Sequence, residues 1–316
     1  MKRLWWLLLL LPILYMSGPK PGKPDFNKEI AGFKEDTSSG IKPGNHSLLI
    51  INTDQKRLKT PYCLLYLHGF SASPMEGDPV MQTISKEFGM NLYAPRLFAH
   101  GLQNTEPMLE FESGPYWQSA VQSLMKAREF GDSVIIMGTS TGATLALMLA
   151  AAFPDQVQGL ILYSPNIDLH DPRSFLLTAP WGLQIARAVK GSRYHTFDGP
   201  KGTRQYWDTR YRLEALVELK NLLNHSMKAE TFTKISQPCL TLYYFKDEQH
   251  QDDVVSVEAI QKMFASLSTP AASKRLMAMP DATSHALVSG IWNPHTDQVI
   301  LETEKFMKEI LRMDLR

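Results

Sequence analysis

The sequence predicts an α/β protein with a mostly parallel sheet and helices on both of its faces. Short apolar runs bounded by turn residues alternate with segments of helical spacing over most of the chain, a pattern typical of strands joined by crossover helices. One strand, turn and helix unit, residues 132–152, carries the motif Gly138-Thr-Ser-Thr-Gly142 in its turn. Residues 168–236 interrupt the alternation. We therefore expect one α/β core with an insertion, whose ligands bind at the carboxyl ends of the strands.

The composition narrows the class of protein. Hydrophobic residues make up 44% of the 316 residues, and the formal net charge is +1. This content supports a sizeable core. The net charge is near zero, and the body of the chain has no basic stretch interleaved with aromatic residues. Both observations make a nucleic-acid partner improbable. Cys63 and Cys239 lie inside apolar strand-like runs, so we expect buried thiols without a disulfide or a metal.

Residues 1–18 have the pattern of an export signal or a membrane anchor. Lys2 and Arg3 precede an apolar run from Leu4 to Met16, which is short for a transmembrane span. A signal peptidase usually needs small residues at two positions before the cleavage site, and residues 15–18 do not provide both. The sequence therefore allows either a cleaved signal peptide or an uncleaved membrane tether. The proline-rich start of residues 19–45 predicts a stiff polar linker that separates this segment from the folded domain.

The core is predicted in two parts, residues 46–167 and 237–316, on either side of the insertion. Strands are expected where apolar runs are bounded by polar turns, and helices where apolar residues recur at helical spacing. The expected strands are residues 47–52, 62–67, 91–95, 134–137, 157–163, 239–245 and 274–279. The expected helices are residues 79–88, 117–130, a helix after Thr141, 257–267 and about 298–313. The insertion, 168–236, has helix-like spacing.

The motif G-x-S-x-G predicts a nucleophile at Ser140. A nucleophile elbow needs small residues on both sides of the serine, because larger side chains would collide in the strained turn. The serine also needs a base within hydrogen-bond reach. His285 follows strand 274–279 by a short loop, which places it at the same rim of the sheet as Ser140. His100 is interpreted as support for a loop near the site.

The remaining parts of such a site come from two loops. If nucleophile, acid and base follow in that chain order, the loop 246–253 supplies the acid, and it offers Asp247, Glu248, Asp252 and Asp253. A metal site with His250 is a further interpretation of this loop, although no known metal-ligand spacing is present. Thr141 and Phe70 are expected to donate backbone N–H groups to the oxyanion. Gly69 would let that second loop approach the reacting carbonyl.

Taken together, these residues resemble the α/β-hydrolases, and specifically serine esterases and lipases related to monoglyceride lipases. The resemblance covers residues 47–313, and its motifs stand in the family's order: His68-Gly-Phe-Ser71, Pro95-Arg-Leu-Phe-Ala-His-Gly101, Gly138-Thr-Ser-Thr-Gly142, Gln251-Asp-Asp-Val-Val255 and Ser284-His-Ala-Leu287. It implies the α/β-hydrolase fold with a helical cap at residues 168–236. Thr139 and Thr141 depart from the family, which often has larger or apolar residues there. The chain also resembles uncharacterised exported hydrolases of Bacteroidetes, which implies a bacterial envelope or periplasmic protein.

The resemblance also favours Asp252 as the acid. The family's acid commonly precedes a valine pair, as Asp252 does here, and its interval to His285 is nearer the family's usual one. Asp247 is the rival, because it lies two residues beyond strand 239–245, at a position that the family often uses. Asp253 is the third candidate.

The predicted function is cofactor-free hydrolysis of a carboxylic ester through an acyl-enzyme intermediate on Ser140. The cap contains apolar residues that would roof an acyl pocket, which implies a small-molecule or lipid-like acyl ester: Phe175, Leu176, Leu177, Trp181 and Leu183. Acyl transfer and amide cleavage use the same triad and stay open. Outside enzymes, the alternative is a non-catalytic binding protein of the envelope on the same fold.

Overall fold

A computed structural model describes residues 14–27, 40–52 and 58–315 of the chain. The strands are β1 (Leu48–Ile50), β2 (Thr60–Leu67), β3 (Asn91–Ala94), β4 (Gly131–Thr139), β5 (Val157–Tyr163), β6 (Tyr194–Thr196), β7 (Arg210–Arg212), β8 (Cys239–Tyr243), β9 (Phe245–Asp247), β10 (His250–Gln251) and β11 (Lys274–Ala278). The α-helices are α1 (Val80–Glu87), α2 (Ser113–Ala127), α3 (Thr141–Ala152), α4 (Gly182–Lys190), α5 (Thr203–Tyr206), α6 (Leu213–Ser226), α7 (Ala229–Phe232), α8 (Val257–Ser266) and α9 (Thr296–Glu309).

Seven strands form the central sheet in the order β1-β3-β2-β4-β5-β8-β11. β1 pairs antiparallel with β3, and every other neighbouring pair is parallel. In one row across the middle of the sheet, Leu65 pairs with Ile136, which pairs with Leu160. All three side chains are fully buried, as expected for strands covered on both faces. The mostly parallel α/β sheet predicted from the sequence is confirmed.

Helices cover the sheet on both faces and form two separate hydrophobic clusters. On one face, apolar side chains of α2, α3 and α8 pack against β2, β4 and β5. On the other face, α1 and α9 pack against the same sheet. Cys63 and Cys239 are both buried free thiols in this core, as predicted, and burial raises the pKa of each to about 12.

The expected strands and helices of the core are present, with one correction at residues 239–245. Strand β8 ends at Tyr243, and Phe245–Asp247 forms the separate strand β9, which pairs antiparallel with β10. The chain leaves the sheet at Tyr244, whose carbonyl oxygen accepts a hydrogen bond from the backbone N–H of Asp252 at 3.1 Å. The acidic loop is therefore a short hairpin that returns Asp252 to the end of β8.

The segment 168–236 is not purely helical as predicted. It contains helices α4 to α7, and also a two-stranded antiparallel sheet in which β6 pairs with β7. A cation–π contact stabilises the pair of strands β6 and β7. The guanidinium carbon of Arg210 lies 3.4 Å from the centre of the Tyr194 ring. A cation at this distance from an aromatic ring is attracted by the electrons of its face.

The predicted export segment, residues 1–18, lies outside the described residues except for residues 14–18. The linker was expected to separate the N-terminal segment from the folded domain. Its described part instead contacts the domain. Trp181 donates backbone and indole N–H bonds to the carbonyl oxygens of Pro19 and Leu14, at 2.8 and 3.1 Å. Lys42 forms an ion pair with Asp208. Within the described ranges, no helix has the length and apolar character needed to cross a membrane.

Candidate active site

Ser140 lies in a strained turn between β4 and α3. Its backbone has φ 53° and ψ −119°, a conformation that non-glycine residues adopt rarely and at a cost. Four backbone hydrogen bonds support it: its N–H donates to the carbonyl oxygen of Tyr163 at 2.9 Å, and its own carbonyl oxygen accepts from Ala143 and Asn166, each at 3.0 Å, and from Thr144 at 3.2 Å. The turn thus has the geometry that the G-x-S-x-G motif predicts, with the serine at the carboxyl end of β4.

The two glycines of the motif are sterically required. A Cβ atom on Gly142 would lie 2.0 Å from the carbonyl oxygen of Leu67, and one on Gly138 would lie 2.7 Å from that of Gly142. Both distances are far below a van der Waals contact, and the obstructing atoms are backbone. The elbow can therefore pack against β2 only with glycine at these positions.

Gly142→Ala is expected to lower the free energy of unfolding by at least about 3 kcal/mol, since overpacking against backbone forces α3 away from β2. Gly22→Ala is the matched control, because a Cβ atom there meets nothing within 4 Å. Denaturant unfolding of the two variants measures the difference. Equal stability of both variants would contradict the steric interpretation of the elbow.

His285 and Asp252 form a direct pair at the same rim of the sheet. The Nδ1 atom of His285 lies 2.7 Å from Oδ2 of Asp252. The other carboxylate oxygen of Asp252 accepts the backbone N–H groups of Val254 and Val255, each at 3.0 Å. Asp252 is completely buried, so these bonds hold its carboxylate in one orientation.

The charges of this pair shift both pKa values toward the ionised forms. Burial would lower the pKa of His285, but the charge and hydrogen bond of Asp252, together with the charges of Glu76 and Asp253, raise the pKa above its usual value. Burial would raise the pKa of Asp252, but the charge of His285 and the donated hydrogen bonds lower it below its usual value. A buried carboxylate of this kind orients the imidazole and stabilises it when it takes up a proton.

The other two acid candidates lie elsewhere. Oδ1 of Asp247 accepts backbone N–H bonds from Gln249 and His250, each at 2.9 Å, and lies 2.8 Å from the His250 ring. Half of the Asp247 side chain is exposed to solvent. Asp253 is also exposed. The structure therefore brings Asp252, and neither neighbour, into hydrogen-bond contact with His285.

The loop after β2 approaches the elbow closely. A Cβ atom on Gly69 would lie 3.2 Å from the Cβ atom of Ser140, a tight contact, so glycine favours this approach. Within the described residues, the backbone N–H groups of Phe70 and Thr141 donate to no protein acceptor. The two predicted donors thus remain available to a reacting carbonyl oxygen, which is what an oxyanion hole requires.

His68 and His100 are buried side chains that support these loops. The Nε2 atom of His68 accepts the backbone N–H of Leu97 at 3.1 Å, so its Nδ1 carries the proton and donates to Gly69. Burial lowers the pKa of His68 to about 4 and that of His100 well below its usual value. His100 stacks on Tyr116, with ring centres 5.3 Å apart. Both histidines are neutral at physiological pH.

Two buried side chains near the elbow were not identified from the sequence. Asn166 follows β5, and its amide nitrogen donates to the hydroxyl of Thr141 at 3.2 Å. Glu76 lies in a short 3₁₀ turn, Pro74–Gly77, and accepts the backbone N–H of Gly69 at 2.6 Å. Asn166 stands at a strand end, which was a usable signal. Nothing in the local sequence distinguishes Glu76 from an exposed turn residue.

The insertion contacts the Gly69 loop through residues 207–211. The ring of Tyr211 meets the ring of Phe70 edge to face, with centres 5.3 Å apart. The backbone N–H of Asp208 donates to the carbonyl oxygen of Ser71 at 2.7 Å. Of the apolar residues predicted to roof a pocket, Phe175 is exposed and Trp181 packs against Gly18. The contacts with the Gly69 loop thus come from residues 207–211, and the roof over an acyl pocket stays a prediction.

The sequence also allows the interpretation of the acidic loop, residues 246–253, as a metal site with His250. In the part of the chain that the structure describes, no three histidine, cysteine, aspartate or glutamate side chains come close enough together to hold a metal ion. The ring of His250 contacts a single carboxylate, that of Asp247.

Residues 118–239 match a family model, Hydrolase_4, described as serine aminopeptidase, S33. A curated relative is the monoglyceride lipase homolog of Monkeypox virus, which is 29% identical over 128 residues. That match covers 39% of this chain and 46% of the viral protein, so it spans about half of the relative's length.

Solved structures of similar fold include lipases and esterases. One comes from work on LipS and LipT, two metagenome-derived lipolytic enzymes: the TM-score is 0.67 at 15% identity, covering 85% of this chain and 99% of that chain. A monoacylglycerol lipase from Paleococcus ferrophilus has a TM-score of 0.57 at 13% identity, covering 82% and 97%. Est1E from Butyrivibrio proteoclasticus with ferulic acid has a TM-score of 0.56 at 17% identity, covering 84% and 95%.

These comparisons and the sheet topology show that the chain has the α/β-hydrolase fold. The predicted resemblance to α/β-hydrolase esterases and lipases is confirmed, and the comparisons support a hydrolase. The resemblance to exported Bacteroidetes hydrolases stays a prediction.

Proposed function

We propose that the protein is a serine hydrolase that cleaves carboxylic esters through an acyl-enzyme intermediate. Ser140 attacks the ester carbonyl, and His285 takes the serine proton and passes it to the leaving alcohol. The backbone N–H groups of Phe70 and Thr141 stabilise the oxyanion. Water, activated by His285, then attacks the acyl group and releases the acid while Ser140 regains its proton.

The observation that carries this proposal is the buried pair of His285 and Asp252 at the rim that also holds a strained serine. Ser140, Asp252 and His285 follow β4, β8 and β11, strands that lie side by side with β5 in the sheet. Burying the carboxylate that lies 2.7 Å from this imidazole removes its hydration and destabilises the fold unless hydrogen bonds and the opposite charge offset that loss. General-base activation of a serine is the chemistry that needs such a pair.

The proposed substrate is a small or lipid-like ester with an apolar acyl group. Phe70, Tyr211 and Phe111 form edge-to-face ring contacts, and this apolar cluster beside the Gly69 loop supports an apolar acyl group. The relatives with lipase names support the same class. Amide cleavage and acyl transfer would use the same residues, so product analysis in water and with added alcohol or amine decides among the three reactions.

A fluorophosphonate probe and a panel of p-nitrophenyl esters test the proposed function. We expect stoichiometric labelling at Ser140. We also expect kcat/KM to be at least about tenfold higher for an octanoyl than for an acetyl ester, since each buried CH₂ contributes about 0.8 kcal/mol. Folded protein that takes up no label would contradict the enzyme and favour the binding protein. Labelled protein without chain-length preference would contradict only the apolar acyl pocket.

We also propose that the protein is exported and stays at the bacterial cell envelope. The apolar run from Leu4 to Met16 after Lys2 and Arg3 supports this, and Leu14 and Met16 are 60% and 70% exposed, so they offer apolar surface to a membrane. Natively expressed protein is expected in the membrane or periplasmic fraction. Soluble cytoplasmic protein that retains Met1 would contradict export.

A further inference from the structure

Glu76 is a second buried carboxylate beside the candidate site. It is only 3% exposed and forms no ion pair with an arginine or lysine among the described residues. Buried, unpaired carboxylates are rare because losing hydration disfavours the charge. Burial accordingly raises the pKa of Glu76 to about 7, even though the hydrogen bonds that it accepts lower it.

The two groups that form hydrogen bonds with the Glu76 carboxylate among the described residues are both donors. The Oε2 atom of Glu76 accepts the backbone N–H of Gly69 at 2.6 Å and the hydroxyl of Tyr66 at 3.0 Å. The side chain of Trp207, from the insertion, lies near this carboxylate and lowers its pKa. An ionised carboxylate accepts only, whereas a protonated one must also donate. This donor set therefore suits the charged form.

These bonds connect three parts of the candidate site. The hydroxyl of Tyr66 also lies 3.1 Å from that of Thr139, the residue before the nucleophile. A Cβ atom on Gly69 would meet an oxygen of Glu76 at 3.0 Å and Cβ of Ser140 at 3.2 Å. The carboxylate thus binds the N–H of Gly69, the residue before Phe70, and connects it through Tyr66 to the elbow. Thr139, a departure from the family's elbow, takes part in this network.

The negative charge of Glu76 also acts on the base. His285 faces Asp252, Asp253 and Glu76, and each of these charges favours the protonated imidazole. Glu76 itself faces Tyr66, Tyr116 and His285. Both tyrosines are neutral, because burial raises each pKa well above its usual value. Glu76 is thus a further carboxylate that acts on the base, and it comes from a different loop from Asp252 and Asp253.

We propose that Glu76 is a positioning residue for the proposed ester hydrolysis. Its carboxylate holds the Gly69 peptide so that the N–H of Phe70 points at the developing oxyanion, and it places a further negative charge where His285 becomes protonated. This inference rests on the proposed function of Ser140 and His285. A purely structural role would require only that the donors of Gly69 and Tyr66 find an acceptor.

Two substitutions separate these roles. In Glu76→Gln, the side-chain oxygen still accepts the N–H of Gly69, but the charge is gone. The acid limb of the pH profile of kcat/KM reports the pKa of the free base, so this limb should move to lower pH. In Glu76→Ala the Gly69 peptide loses its acceptor, and kcat should fall about 10- to 100-fold further with KM little changed, which is part of the loss expected for an oxyanion donor.

Asp78→Asn is the matched control, since this half-buried carboxylate lies two residues away and bonds to Gln82. It should leave the limb and kcat unchanged. An unmoved acid limb in Glu76→Gln, or a Glu76→Ala enzyme as fast as Glu76→Gln, would overturn the proposal. If Glu76→Ala does not fold, the limb of Glu76→Gln decides alone. Fluorophosphonate labelling of wild-type protein tests Ser140 independently, so failure of the positioning role is distinguishable from failure of the proposed function.

Discussion

Ser140→Ala is expected to lower kcat for ester hydrolysis by about 10⁶-fold, the loss seen when the nucleophile of a serine protease is removed. The remaining rate would come from substrate binding and the oxyanion donors, which still act on water attack. The protein should stay folded. Alanine keeps the backbone bonds to Tyr163, Ala143 and Asn166 that support the elbow, and no side-chain hydrogen bond of Ser140 is needed to hold the turn.

The matched control is Ser164→Ala. Ser164 follows β5 and is completely buried, and among the residues that the structure describes its hydroxyl has no hydrogen-bond partner, so removing that hydroxyl leaves no group unsatisfied. Initial rates on a medium-chain p-nitrophenyl ester and unfolding curves should be measured for both variants. A Ser140→Ala protein that keeps a substantial part of the wild-type rate would show that another group is the nucleophile.

The core of the fold could be predicted because local sequence patterns indicate its strands. The run Val157 to Tyr163 is apolar and bounded by polar residues, and β5 has these same bounds. The elbow was predictable for a steric reason, since only glycine fits at the positions of Gly138 and Gly142. Such features depend on residues close in the sequence, and their geometry follows from the residue types alone.

The features that were missed depend on contacts between distant parts of the chain. Glu76 is buried because Tyr66, Gly69 and Trp207 surround it, and no local pattern indicates this. The linker packs on the protein because Trp181 donates to the backbone of Leu14 and Pro19. Every residue has a backbone carbonyl oxygen, so the residue types do not indicate which of these oxygens accepts a hydrogen bond from Trp181.

The acid at the end of β8 lies between these two cases. The sequence narrowed it to a loop with three aspartates, and the hairpin of β9 and β10 determines which one faces the base. This hairpin turns Asp247 outward, where the hydrogen bond from His250 lowers its pKa. It returns Asp252 to the sheet, where Val254 and Val255 orient its carboxylate. The geometry therefore supports a single acid, which mutagenesis can test.

Asp252→Asn is expected to lower kcat by about 10⁴-fold, the loss seen when the orienting aspartate of a serine protease is replaced by asparagine. The amide keeps the size of the carboxylate. It can, however, present an N–H to Nδ1 of His285, which would leave the proton on Nε2, the nitrogen that must accept the serine proton. The substitution also removes the charge that raises the pKa of His285.

Asp247→Asn is the matched comparison, because it makes the same chemical change in the same loop on a half-exposed side chain. We expect its kcat to stay within a few-fold of wild type, since the side chain of Asp247 contacts Gln249 and His250 and not His285. Both variants should be compared at saturating ester, with unfolding curves to confirm that they are folded. If Asp247→Asn loses orders of magnitude while Asp252→Asn does not, the hairpin must rearrange in the working enzyme and Asp247 is the acid. If both lose activity equally, the loop as a whole, and not the single bond at 2.7 Å, holds His285 in place.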